Sequence, residues 1–122
     1  MTNHKQYLYS KGNDLRADGD HAQAKEFGKV KVGRNHLFWR NGLRRYAIGL
    51  DSVQRIYRRV EPVFGKLCCG GNSFIIEWLV LVLHSGEELV LHIGDDAVKQ
   101  AEALMVFLKD AHPNIQYGKV YH

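Results

Sequence analysis

The chain has 122 residues, 45% hydrophobic and 25% charged, with a formal net charge of +4. That length sustains one ordinary core, and that composition excludes a disordered or collagen-like chain. No apolar run reaches the roughly 18 residues of a membrane-spanning helix and residues 1–14 hold no apolar leader, so the expectation is a cytoplasmic protein with reduced cysteines and no transmembrane segment.

Residues 1–24 are polar, with Gly12-Asn13-Asp14 and Asp18-Gly19-Asp20 as turn material. They read as a tail, either with a short ordered piece at Tyr7-Leu8-Tyr9 or folded back over an apolar patch. Residues 25–122 form the single domain. Phe27–Val32 reads as a strand, with Val30 and Val32 on one face and Lys29 and Lys31 on the other. Gly33-Arg34-Asn35 turns the chain into a second strand, His36–Arg40, and Asn41-Gly42 signals a tight hairpin into Arg44–Ile48. Leu50-Asp51-Ser52 is a turn or single helical turn. Val53–Phe64 is a long strand in which Pro62 marks an edge or a bulge. A loop over residues 66–73 carries Cys68-Cys69, and Phe74–Leu83 and Glu87–Ile93 follow as a hairpin about Ser85-Gly86. Asp95–Ala111 is an amphipathic helix. Asp95 caps it, and Val98, Ala101, Leu104, Met105 and Leu108 share one face, widened by Val106 and Phe107; Pro113 lies past its end.

The long hairpin has apolar residues on both faces, so its register decides what is buried. A two-residue loop at Ser85-Gly86 places Trp78, Val80, Val82, Leu89, Leu91 and Ile93 on the core face. Leu79, Leu81, Leu83 and Val90 then point outward as a contiguous apolar patch, an interface for a homodimer. A three-residue loop inverts the two faces and removes that argument.

The residues give no catalytic signature. G-x-S-x-G, P-loop, G-x-G-x-x-G and HExxH spacings are absent. Adjacent Cys68 and Cys69 point apart in an extended chain and make a poor zinc pair, which leaves thiol or soft-metal chemistry as a minor reading. His84 and His92 fall on opposite faces in the register above and share no site. No metal or other cofactor is expected.

Charge is unevenly placed. Residues 29–66 hold ten basic and two acidic residues, a local +8, whereas residues 67–122 sum to −4. Arg40, Arg44, Arg45, Arg55, Arg58 and Arg59 are interleaved with Trp39, Tyr46 and Tyr57. Such a set can hold an anionic lipid or phospho-ligand, with nucleic acid ranked below these, or be a solvated sheet face.

A strand series ending in Ile56-Tyr57-Arg58-Arg59-Val60, the Phe74–Ile93 hairpin and a closing helix Asp95–Ala111 together resemble the pleckstrin-homology-like (PH-like) superfold, in particular its small bacterial members of unassigned function. The resemblance covers about residues 27–111. It implies a mainly β protein, an antiparallel barrel or sandwich capped by one C-terminal helix. That superfold usually has seven strands against six read here, so a long strand is split or one lies in the N-terminal segment. The resemblance also implies a non-catalytic module acting through protein–protein contact, self-association included. The alternative is anion binding through basic residues near the first strand hairpin, where Lys29, Lys31 and Arg34 lie.

Overall fold

Short apolar–polar alternations separated by glycine turns assemble into two sheets in the computed structural model, which describes residues 7–10, 12, 15–64, 73–94 and 97–121. Helix α1 (Leu15–Ala22) precedes β1 (Lys25–Phe27), β2 (Val30–Val32), β3 (His36–Asn41) and β4 (Arg44–Gly49), which pair antiparallel in chain order. A 3-10 turn, Leu50–Ser52, leads to β5 (Val53–Phe64), β6 (Ser73–Leu83) and β7 (Glu88–His92). Helix α2 (Ala97–Ala111) and β8 (Gln116–Tyr121) follow, and β8 runs parallel to β5, giving the second sheet the order β7-β6-β5-β8. The protein is mainly β with a C-terminal helix, as expected, but the two sheets do not close into a barrel.

The expected strand Phe27–Val32 is two strands. Gly28 takes φ +63° at their two-residue turn, and a Cβ there would collide with the carbonyl oxygen of Ile93. That close approach lets the Lys29 N–H donate to Ile93 O at 2.6 Å, which ties the first sheet to the end of β7. Gln54 is an extra residue in β5, because the pairing shifts between Val53 and Arg55; this bulge keeps Val53 and Ile56 on the same buried face. Pro62 lies beyond Val60, the last β5 residue paired with β8, so among the described residues β5 there has a neighbour on one side only, the edge position that a proline tolerates.

The core lies between the inner faces of the sheets and α2. Val30, Val32, Leu37 and Ile48 meet Ile56, Leu79, Leu81, Leu89 and Leu91, and Ala101, Leu104, Met105 and Leu108 of α2 close over them. Val98 and Val106, expected in the buried stripe, are exposed on the far side of the helix. Asp95 and Cys68-Cys69 lie outside the described residues.

The β6–β7 register corrects the expected interface. Leu81 pairs with Leu89, Val80 with Val90 and Trp78 with His92. The loop holds His84, Ser85 and Gly86 between Leu83 and Glu87, with Gly86 at φ +91°, the left-handed position a three-residue loop requires. One residue of slip exchanges the faces of β6: Leu79, Leu81 and Leu83 are buried in the core, and only Val90 of the expected patch lies on the other face, with Trp78, Val82 and Val80, of which Val80 is still fully buried, as are Leu89, Leu91 and Ile93 on the core face.

The described residues of the N-terminal segment pack on the domain rather than forming a tail. Leu8 bridges Tyr46 and the Tyr9 N–H donates to Arg45 O at 2.8 Å, as the expected ordered piece. An eight-residue helix is marginal alone. Contacts hold α1 instead: Ala17 packs with Tyr9 against Phe38, and the Tyr9 hydroxyl donates to Asp18.

Candidate anion-binding groove

Apart from Arg44, taken up below, and Lys66, outside the described residues, the basic residues of segment 29–66 divide among four places. Arg58 faces inward from β5, 7% exposed, and its Nε donates to the Glu77 carboxylate, itself 2% exposed. It is a core residue, and its expected place in a ligand site is withdrawn. Arg55 and Arg59 lie on the outer face of the second sheet, Arg55 with its guanidinium 4.8 Å from the Tyr57 ring and Arg59 opposite Trp78. Arg34 sits in the β2–β3 turn and lines a separate cleft.

Only the fourth group converges. Lys29, Lys31, Arg40 and Arg45 line one hollow of about 170 Å3 with Tyr9, Phe38, Trp39 and Tyr46. The register explains why: Arg40 and Arg45 are cross-strand partners, and Lys31 is the partner of Phe38 two positions away on the same face. Glu26, partner of Lys31, is the only acid lining it among the described residues. None of the four cations is in an ion pair among the described residues. A second hollow of about 400 Å3 shares Lys29, Trp39 and Arg40 and extends the groove to Trp78, Val90 and His92 of the other sheet. The Trp78 ring meets His92 edge-on at 5.2 Å, and its Nε1 is buried without a hydrogen-bond partner among the described residues. Arg44 projects from the opposite face of the hairpin, exposed beside the groove.

The larger cleft, about 1080 Å3, lies between α1, the β2–β3 turn, His84 and residues 111–115. It gathers His36, His84 and His112, which spacing alone did not bring together. Its charged groups are mostly committed to structure. The Asp20 carboxylate accepts the N–H of Arg34 at 2.5 Å and of Asn35 at 2.9 Å, with His36 Nδ1 3.0 Å away. Burial alone would raise the Asp20 pKa; those backbone N–H groups and His36 outweigh it, and the net shift is downward. His112 Nε2 lies 2.9 Å from Arg34 O. Arg16 and Arg34 are balanced by Asp20 and Asp51 in the lining, and no three His, Cys, Asp or Glu side chains among the described residues are placed to hold a metal ion. The smaller groove, with cations in excess, is the better candidate.

Tyr117 of β8 lies two residues past Ile115, the last residue lining this cleft. Its hydroxyl sits 2.7 Å from His112 O and 3.0 Å from Leu108 O, so its one proton is donated to the end of α2, where Leu108 O already accepts the His112 N–H. Burial pushes its pKa up to about 12.

The chain matches no family model, no curated protein and no solved structure. No described helix is long and apolar enough to cross a membrane.

Proposed function

We propose that the protein is a cytoplasmic, non-catalytic binding module on a PH-like plan that holds an anionic ligand in the groove of Lys29, Lys31, Arg40 and Arg45. Four antiparallel strands, three more, and then a helix support the plan; α1 and the parallel β8 depart from it. The observation that carries the function is Arg40 facing Arg45 across the β3–β4 ladder, with Lys29 and Lys31 beside them and one acid in the lining. Like charges directly opposed destabilise a hairpin. A bound anion reverses the sign of that term and makes charge-assisted hydrogen bonds. Protein–protein contact through the outer leucines loses its basis, because Leu79, Leu81 and Leu83 are internal.

Tripolyphosphate titrated calorimetrically against the full chain tests this. Binding should weaken steeply with added salt, since the groove is exposed. Arg40→Gln with Arg45→Gln should weaken it by at least about tenfold, two charged contacts being lost. Absence of binding, salt-independent binding, or an unaffected double variant would refute the reading.

A further inference from the structure

The β3–β4 hairpin turns on Gly42 and Leu43, flanked by the Asn41–Arg44 pair. Both primed turn types need positive φ at the first central position, and Gly42 has φ +65°. The second central position is ordinarily Gly, Asn, Asp or Ser. Here it is leucine, and Leu43 is fully exposed, the most exposed of the large apolar residues described. It contributes nothing to the core. Three arginines lie within three residues of it: Arg40, Arg44 and Arg45. The whole hairpin, residues 36–49, contains no Asp or Glu. Arg40 and Arg44 face opposite sides of the ribbon, so positive charge surrounds the apolar tip.

We propose that this tip docks on an anionic phospholipid bilayer, Leu43 entering the headgroup–acyl boundary while Arg40, Arg44 and Arg45 meet lipid phosphates. The inference rests on the anion-binding reading through Arg40 and Arg45, and it names the source of the anion. A water-exposed leucine gains from an apolar phase, and arginines at that depth gain from the negative surface potential. A second copy of the chain fits poorly, because it would bring the same three arginines together. A nucleic acid offers phosphates but no apolar phase for the leucine. The contact depends on charge and insertion, so it does not discriminate between headgroups of equal charge.

The test is co-sedimentation of the full chain with phosphatidylcholine vesicles that contain phosphatidylserine, phosphatidylglycerol, or neither. Tripolyphosphate and a single-stranded oligonucleotide serve as soluble probes. The wild type should bind both anionic vesicles alike and the neutral one much more weakly. Leu43→Ser, at a site with no packing to lose, should keep the fold by circular dichroism and lose about tenfold on anionic vesicles. It should leave tripolyphosphate binding unchanged. Arg44→Gln should lose about fivefold on vesicles. Vesicle binding that ignores Leu43→Ser, binding to the oligonucleotide without binding to vesicles, or binding to tripolyphosphate alone each overturns the proposal. Leucine-dependent vesicle binding without tripolyphosphate binding supports it and refutes the groove reading instead.

Discussion

Removal of Glu77 should leave Arg58 as an uncompensated charge in the core. Arg58 and Glu77 are 7% and 2% exposed, and Nε donates to Oε1. The other carboxylate near the guanidinium, Glu102 of α2, stands 3.8 Å from Nη2 but is itself largely in water, so it compensates little. Glu77 Oε2 has no hydrogen-bond partner among the described residues, which places the pair's stabilisation on one contact. Breaking a buried pair by deleting one partner costs about 3–5 kcal/mol. Against a total stability on the order of 5–15 kcal/mol, Glu77→Ala should lose a large part of it. At roughly 3–6 °C per kcal/mol for a chain of this size, the melting temperature should fall by about 10–25 °C. Replacing both partners, Arg58→Met with Glu77→Leu, removes both desolvation terms and should recover most or all of the loss. Urea unfolding followed by the fluorescence of Trp39 and Trp78 measures each variant. A Glu77→Ala loss below about 1 kcal/mol, the range of an exposed pair, would refute the burial argument. So would a double variant as unstable as the single one. The folded double variant should also bind tripolyphosphate as the wild type does, since Arg58 is no part of the groove.

Three further outcomes follow from geometry. Leu81→Glu should unfold the protein, whereas Val82→Glu on the opposite face of β6 should fold with a modest loss; thermal melts that reverse this order would restore the two-residue loop register. Asp20→Ala should cost about 2 kcal/mol, because it strips the carboxylate from the Arg34 and Asn35 amides. Since the folded Asp20 pKa is depressed, its contribution is complete above the ordinary carboxylate range and is lost as pH falls through the folded value; acid melts of wild type and Asp20→Ala should therefore converge at low pH. The raised Tyr117 pKa has the opposite sign: its contribution is complete below about 10 and is lost as pH rises toward about 12, so ultraviolet titration should show one late phenol that Tyr117→Phe removes.

Strand positions were legible wherever glycine or a polar turn broke an apolar run: β3, β4, β5 and the β6–β7 hairpin all fall where the pattern puts them. Register in that hairpin was not legible, because Phe74–Leu83 is apolar on both faces and Ser85-Gly86 suits loops of two or three residues equally. The backbone pairing of Leu83 with Glu87 and of Val82 with Glu88 decides it. Strand β8 was missed because it pairs in parallel with β5 from across a helix, a contact that no local signal announces. Helix α1 was missed for a different reason. It contains Gly19 and two aspartates and buries only Ala17, so its own pattern is weak and its contacts with Tyr9 and the β2–β3 turn hold it. The candidate groove was half legible: Lys29, Lys31, Arg40 and Arg45 were all foreseen as basic candidates, but that these four converge and Arg34, Arg55, Arg58 and Arg59 do not depends on the sheet register.

The linear charge count also overstated the field that any ligand meets. A local +8 over residues 29–66 would attract strongly if it lay on one surface. Folding divides it. Arg58 is neutralised inside, Arg55 and Arg59 face away across the second sheet, and Arg34 stands among carboxylates in the cleft. Charges separated by more than a Debye length of about 8–10 Å at physiological salt act almost independently. What remains to act together is Lys29, Lys31, Arg40, Arg44 and Arg45, spread around one hairpin and the groove at its base. Four exposed cations and the half-buried Lys31, with one neighbouring glutamate, give attraction that salt can erase. That argues for a contact in which charge brings an anionic partner close and a short-range term decides whether it stays, and at the hairpin tip the group placed to supply that term is Leu43.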